Sequence, residues 1–240
     1  MVEILRDVIR RNRAGSQAAI PSVCSAHPDV LRAALTLAEE LDRHIVIEAT
    51  SNQVNQDGGY TSMTPIDFVR FVEGLADETG TDRERIILGG DHLGPQAWRH
   101  MDAEAAMIKA ERMVRDYVTA GFGKIHLDCS EGCAGEAAQL DDEVTALRSA
   151  RLAQICCAEN PDLLFVVGTE VPPPGGARIN EEEEIASTEP QAARATLMAH
   201  EAAFGELADK IGGLVVQPGA EFSPTAVHRS EEHTFELQSR

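Results

Sequence analysis

The sequence is constrained most by a regular alternation of apolar segments of strand length with segments of helix length. Several apolar segments are continuous rather than alternating, as is typical of parallel strands that are covered on both faces. The predicted strands are Ala18–Val23, Ile45–Ala49, Ile86–Gly90, Lys124–Asp128, Leu163–Gly168 and Gly213–Gln217. The predicted helices are Asp29–Asp42, Pro65–Thr79, Ala103–Ala120, Asp142–Glu159 and Pro190–Lys210. Such an alternation predicts an α/β protein with a parallel sheet, either doubly wound or closed as a (β/α)8 barrel.

The segments that follow the strands distinguish these two architectures. They are long and rich in polar and ionisable residues, for example CSAHP, GGDHLGP and HLDCSEGCAGE, whereas the segments before the strands are short. Chemistry that is concentrated after each strand in turn is typical of the carboxyl-terminal face of a barrel. The nucleotide-binding motifs that usually accompany an open sheet, G-x-G-x-x-G and the Walker motif, do not occur. We therefore predict a TIM-type (β/α)8 barrel that is truncated after about six β–α units.

The last twelve residues, Arg229–Arg240, differ from everything before them. They read RSEEHTFELQSR, a polar sequence that resembles the conceptual translation of a sequencing-library adapter. A closed barrel of this type needs eight strands, more than the sequence predicts. We therefore expect residues 1–228 to form a partial barrel and residues 229–240 to be a non-native tail.

Composition and charge exclude several classes of partner. The 240-residue chain has a formal net charge of −19, and its 21 basic residues are dispersed, so a nucleic-acid partner is not expected. No apolar run approaches the roughly 20 residues of a membrane span, and the amino terminus lacks the apolar core of a signal peptide. We expect a cytoplasmic protein with no membrane partner, whose five cysteines are free thiols.

Two pairs of ionisable residues at strand ends are the first candidates for chemistry. Asp91 and His92 end the third predicted strand, where an imidazole can bind a metal ion and the adjacent carboxylate can accept a proton or orient the ring. His126 and Asp128 lie two residues apart on the fourth strand, so both side chains face the barrel interior. A buried polar pair must be hydrogen-bonded, ion-paired or metal-bound. We count His126 among the metal ligands and Asp128 among the catalytic carboxylates, and a salt link to a barrel arginine or lysine is the alternative.

Two further strand ends carry a glutamate. Glu48 ends the second strand, and Glu170 follows the fifth in VVGTEVPPPGG, where Gly175-Gly176 lets the backbone approach a ligand closely. A loop of amides and hydroxyls follows Glu48. Such a loop suits a polyhydroxylated ligand, although a loop that satisfies its own backbone has the same composition. The predicted substrate-binding amides are Asn52, Gln53, Asn55 and Gln56.

Taken together, the loop motifs resemble the Z-type subunit (GatZ/KbaZ-like) of class II D-tagatose-1,6-bisphosphate aldolase. The resemblance rests on SVCSAHP, IEATSNQVNQDGGYTSMTP, RIILGGDHLGP, AGFGKIHLDCS, GTEVPPPGG and VVQPGAEF, and it covers residues 1–228. It implies a TIM-type barrel and a role in galactitol or N-acetylgalactosamine-type catabolism. It also implies a non-catalytic accessory subunit that supports the activity and stability of a catalytic class II aldolase subunit, its expected partner.

The resemblance also bears on the metal site. In catalytic class II aldolases, which are distantly similar, an Asp-His pair at the end of strand three supplies a proton-transfer aspartate and a zinc-binding histidine, which Asp91 and His92 match. In some of those enzymes a strand-five glutamate before Gly-Gly also binds the metal, as Glu170 would. Some family relatives are assigned as ketose-phosphate 4-epimerases. The alternative function is therefore a metal-dependent epimerase that converts tagatose 6-phosphate to fructose 6-phosphate, with Zn²⁺ or a similar divalent ion bound and Asp91 or Glu48 transferring protons.

Overall fold

The computed structural model describes residues 2–169, 188–216, 220–222 and 227–229. Six of its strands alternate with helices, as the sequence predicts. The strands are β1 (Ser22–Cys24), β2 (Ile45–Thr50), β3 (Ile86–Leu93), β4 (Lys124–Leu127), β5 (Leu164–Val167) and β6 (Ile211–Leu214), and a separate short antiparallel pair comprises β7 (Ala220–Phe222) and β8 (Val227–Arg229). The helices are α1 (Val2–Arg13), α2 (Pro28–Glu40), α3 (Pro65–Thr79), α4 (Ala103–Thr119), α5 (Asp142–Glu159) and α6 (Pro190–Phe204).

The order of the strands confirms the barrel type of fold. β1 to β6 form one parallel sheet in which each strand pairs with the next in sequence. A doubly wound sheet would instead reverse its strand order at a switch point. Because β–α–β crossovers are right-handed, a sequential order puts the connecting helices on one face of the sheet. The other face becomes the interior of a partial barrel with six strands.

The two faces of the sheet carry different side chains. The helix-covered face contributes to one large apolar core, represented by Ile47, Ile125 and Phe165, which packs against residues of α2 to α6. On the interior face, α1 covers the lower ends of the strands through a smaller apolar cluster. Its buried members are Val2, Leu5, Val46, Ile87 and Leu164. Since side chains alternate along a strand, the next interior positions of β2 and β4 are Glu48, Lys124 and His126.

Local signals set the helix boundaries. Thr64 and Asp67 form a capping box at the start of α3, with Pro65 in the first turn, and Gly80 ends the helix with a φ of 71°. The N–H groups of a first helical turn have no intrahelical partner, and a side-chain cap satisfies some of them. In the same way, Asp102 and Asp141 cap α4 and α5.

None of the described helices is both long and apolar enough to cross a membrane. The cytoplasmic location stays a prediction. The five cysteines are free, as expected. The predicted tail, residues 229–240, lies outside the described residues except for Arg229, so the proposed domain boundary also stays a prediction.

The core packing gives a direct test on α2. Leu35 is fully buried (0% exposed) and packs in the large core, whereas Leu37, two residues away, is 53% exposed. Leu35→Ala should lower the free energy of unfolding by about 2–5 kcal/mol, because it leaves a cavity. Leu37→Ala, the matched control, should change it by less than about 0.5 kcal/mol. Urea denaturation followed by circular dichroism measures both, and equal effects would contradict the assignment of the buried face.

Candidate metal centre

Three predicted side chains meet where β3 and β4 end. One ligand atom from each of Asp91, His92 and His126 lies within 4.8 Å of the others. Asp91 Oδ1 is 3.0 Å from His126 Nδ1 and 3.2 Å from His92 Nδ1. The rings of the two histidines contact edge to face, with their centroids 4.4 Å apart. The two strands are neighbours in the sheet, so residues far apart in sequence form one cluster, which we call the Asp-His-His triad.

A β-bulge turns His92 towards this cluster. The register of β3 against β4 shifts between Gly90 and Leu93, and His92 has a φ of 47°. A residue other than glycine pays a conformational cost in this left-handed region. Bulges of this kind redirect a side chain at the end of a strand and are common beside functional sites. Here the bulge allows the consecutive residues Asp91 and His92 to face the same partner, His126.

The backbone fixes the orientation of the His126 ring. Its Nε2 lies 2.8 Å from the carbonyl oxygen of Gly168, which can only accept a hydrogen bond, so Nε2 carries a proton. Its Nδ1 accepts a hydrogen bond from the backbone nitrogen of His92, 3.2 Å away, and lies 3.0 Å from Asp91 Oδ1. A positive charge between Nδ1 and Oδ1, supplied by a proton on the ring or by a metal ion, would stabilise this close contact.

The two histidines also determine the ionisation of Asp91. Burial by itself raises the pKa of this carboxyl group. The hydrogen bonds and positive charge at His126 and His92 outweigh that effect and hold the pKa of Asp91 well below its usual range. Asp91 is therefore a carboxylate at neutral pH, the form that binds a cation or accepts a proton.

Asp128 borders the triad from the loop after β4. Its Oδ2 lies 4.0 Å from His92 Nε2, and its Oδ1 accepts a hydrogen bond from the backbone N–H of Ser130. The loop after β3 packs directly on this position. A β-carbon at Gly94 would lie 1.8 Å from the carbonyl oxygen of Asp128. The glycine of the Asp-His-Leu-Gly sequence thus allows the ends of β3 and β4 to approach each other.

Glu48 lies in the barrel interior and is part of an ion pair. Its carboxylate contacts the ammonium of Lys124 on β4 and accepts a hydrogen bond from the hydroxyl of Ser22 on β1. The sequence did not identify Lys124 or Ser22 as functional. The available signal was a pair of opposite charges at inward positions of β2 and β4, with Gly89 opposite both of them on β3.

The four predicted substrate-binding amides in the loop after β2 differ in whether they are bonded to backbone groups. Gln53 and Asn55 form hydrogen bonds with backbone groups of their own loop, and Gln56 donates to a backbone carbonyl of α4. These bonds hold the loop in place. Asn52 is exposed, and its Nδ2 lies 3.4 Å from Gln96 Oε1. Of the four predicted substrate-binding amides, Asn52 is the most accessible, and substrate binding by the set stays a prediction.

The donors of the triad fit a divalent metal ion. Two imidazoles and one carboxylate are the ligands that Zn²⁺ and similar ions take in catalytic sites, where one position stays open for water or substrate. The hydrogen bond from His126 to the Gly168 carbonyl is the kind of outer contact that orients a ligating histidine. The fourth predicted donor, Glu170, lies outside the described residues.

Fold and site together define a protein of the (β/α)-barrel class with a candidate divalent-metal centre at the carboxyl ends of its strands. The family model described as D-tagatose-1,6-bisphosphate aldolase subunit GatZ/KbaZ-like matches residues 5–239. The chain belongs to this family.

One protein and two solved structures are similar to this chain. A D-tagatose 6-phosphate 4-epimerase from Agrobacterium fabrum is 52% identical over 232 residues, which are 92% of this chain and 54% of that protein. The crystal structure of a probable tagatose 6 phosphate kinase from Sinorhizobium meliloti is 47% identical, with a TM-score of 0.77 over 88% of this chain and 52% of that one. A fructose-bisphosphate aldolase from Campylobacter jejuni, 18% identical, shares the fold, with a TM-score of 0.55 over 90% of this chain and 57% of that chain. The chain thus spans about half the length of these relatives.

The close contact at Gly94 gives a second test. Gly94→Ala should lower the free energy of unfolding by about 1–3 kcal/mol, because the new β-carbon would overlap the Asp128 carbonyl. Gly74→Ala is the matched control: no atom lies within 4 Å of its added β-carbon, and alanine is favoured over glycine inside α3 by about 0.5–1 kcal/mol. Thermal melts of both variants measure the difference. Two shifts of the same sign would refute the proposed approach of the strand ends.

Proposed function

We propose that this chain belongs to a metal-dependent ketose-phosphate 4-epimerase, which converts tagatose 6-phosphate to fructose 6-phosphate. The observation that carries the proposal is the Asp-His-His triad, which combines a carboxylate with two imidazoles at the open end of a barrel. Barrel enzymes hold their catalytic groups at this end. The relative that is 52% identical is a D-tagatose 6-phosphate 4-epimerase, which supports the same reaction.

The triad would hold the metal ion through His92, His126 and one carboxylate oxygen of Asp91, and the other oxygen of Asp91 would stay available as a proton acceptor. A divalent ion at this position supplies Lewis-acid polarisation of the ketose oxygens. The residues of the chain have the complementary task of moving protons. Inversion at C4 requires loss of the proton from the C4 hydroxyl, cleavage of the C3–C4 bond, and re-formation of that bond on the opposite face of the aldehyde. One proton is removed from the C4 hydroxyl and one is returned to the C4 oxygen after the bond re-forms, so the reaction is balanced and needs no oxidant.

Two carboxylates suit this inversion better than one. The C4 oxygen points in different directions in the two epimers, so a proton acceptor for each should lie at a different position. Asp91 on β3 and Asp128 after β4 flank His92 from two sides. We assign them as the acid–base groups for the two epimers. Glu48 is held by Lys124 and Ser22, which favours a positioning role over the proton transfer that the sequence suggests.

The accessory-subunit function is supported by the family match alone. The family description refers to a subunit of tagatose-bisphosphate aldolase, and a catalytic class II aldolase chain in galactitol-type catabolism remains the partner to test. A chain that only stabilises a partner has little need of a carboxylate placed between two histidines at the open end of a barrel. The triad therefore favours the epimerase.

The epimerase is tested on the product of the complete open reading frame that encodes this chain. Wild type loaded with Zn²⁺ or Mn²⁺ should convert tagatose 6-phosphate to fructose 6-phosphate, followed by an assay coupled to glucose-6-phosphate formation. Asp91→Asn should lower kcat by about 10²-fold or more, since it removes a proton acceptor. His92→Ala and His126→Ala should also lower the bound metal, measured by elemental analysis. His100→Ala, an exposed histidine outside the triad, is the matched control and should keep full metal content and activity.

The accessory function makes a different prediction for the same variant. If the chain acts only by stabilising a catalytic aldolase, adding it should raise the activity and melting temperature of that partner, and Asp91→Asn should keep the full effect. If the chain is an epimerase, Asp91→Asn removes the turnover of tagatose 6-phosphate. Absence of both metal binding and epimerisation in the wild type would overturn the epimerase proposal.

A further inference from the structure

The Glu48–Lys124 ion pair lies in the barrel interior below the triad. Glu48 on β2 and Lys124 on β4 are both opposite Gly89 on β3 in the register of the sheet. The pair therefore reaches across the middle strand. A β-carbon at position 89 would lie 2.8 Å from Glu48 Oε1 and 3.1 Å from Val46 Cγ1, so the absence of a side chain there leaves room for the Glu48 carboxylate.

The pair and the triad lie on the interior face of the same sheet, and we call the space in front of them the chamber. Lys124 precedes His126 by two residues on the same face of β4, so their Cα atoms are separated by roughly 7 Å along the strand. Cys24, at the end of β1, lies close enough to both groups to be affected by their charges. Desolvation and the charge of Asp91 raise the pKa of its thiol, and the charges of Glu48 and Lys124 act on the same atom. A ligand as long as a six-carbon sugar spans this distance.

The Lys124 ammonium has more N–H donors than the described residues have acceptors for them. Its ammonium carries three protons, and Glu48 is its only acceptor among the residues that the structure describes. The side chain of Lys124 is 17% exposed and that of Glu48 is 6% exposed, so a ligand can reach the ammonium from the chamber. Burying unsatisfied donors of a charged group is costly, and ligand hydroxyl groups are suitable acceptors for them.

The charge of the pair restricts which end of a sugar phosphate can bind there. A lysine and a glutamate in contact have no net charge, and they offer a donor and an acceptor, which suits neutral hydroxyl groups. A phosphate dianion at the same place would approach the Glu48 carboxylate as closely as the Lys124 ammonium, with Asp91 nearby, and repulsion would cancel the attraction. The chamber floor therefore accepts a hydroxyl end and rejects a phosphorylated one.

We propose that Glu48 and Lys124 form a subsite for the unphosphorylated C1 end of a ketose 6-phosphate, and that this subsite excludes ketose 1,6-bisphosphates. The inference rests on the proposed function, because it assumes that a ketose phosphate binds at the triad. A 6-phosphate has one neutral end that can enter the chamber, whereas a 1,6-bisphosphate has none. Lys124 donates hydrogen bonds to the C1 and C2 oxygens, and Glu48 holds the ammonium in position and balances its charge.

The test compares the binding of two ligands by calorimetry, with the metal-loaded product of the complete open reading frame. Wild type should bind tagatose 6-phosphate at least roughly tenfold more tightly than tagatose 1,6-bisphosphate. Lys124→Met should weaken the binding of the monophosphate by roughly tenfold or more, the loss expected for hydrogen bonds to a charged group. Glu48→Gln should narrow or reverse the selectivity, because it leaves a positive charge that attracts the second phosphate. Lys210→Met, which removes an ammonium that bonds to the Pro161 carbonyl outside the chamber, should change neither ligand's affinity.

Each outcome has a separate meaning. If Lys124→Met does not fold because Glu48 is left unpaired, the neutral double variant Glu48→Gln/Lys124→Met replaces it and should have lost the selectivity. Equal affinity of the wild type for the two ligands, or unchanged selectivity in the folded variants, overturns the subsite. Selective binding of the monophosphate without its conversion to fructose 6-phosphate overturns the proposed epimerase and leaves the subsite in place.

Discussion

All six strands of the main sheet run in the same direction and in sequence order, and most of the molecule follows from this constraint. Right-handed crossovers put the connecting helices on one face, where they bury the large apolar core. The opposite face must form the interior of a barrel. α1 covers its lower part with apolar residues, and above them lie the charged groups Glu48, Lys124 and Asp91. Stability and chemistry are therefore carried by opposite faces of the same strands.

The sequence predicts the elements whose limits depend on local signals. Both Pro65–Thr79 and Asp142–Glu159 agree with the structure at each end, because caps and turn residues mark these helices. The two outer strands are less accurate. The predicted Ala18–Val23 is found at Ser22–Cys24, and the predicted Gly213–Gln217 at Ile211–Leu214. Each of these strands pairs with one described neighbour. The register of that pairing determines which residues form the strand, and no local sequence signal encodes the register.

The residues of the candidate metal centre could be predicted from the sequence, but the contacts between them could not. Strand ends carrying Asp91, His92 and His126 are visible in the sequence, and parallel neighbouring strands bring such ends together. The bulge that turns His92 is not visible, because it depends on the register between β3 and β4. The polarity of the amide loop also could not show that Asn55 and Gln56 bond to backbone groups, since a loop that binds a ligand has the same composition.

Gly89 has a consequence for how this chamber can change during evolution. The absence of a side chain on β3 is what permits a carboxylate on β2 to touch an ammonium on β4. A larger residue at position 89 would crowd the Glu48 carboxylate, and removing either charged residue alone would leave the other buried without its partner, which is more costly than losing both. Single substitutions at these three positions are therefore disfavoured. A descendant that binds a different ligand at this place is expected to change Glu48 and Lys124 together.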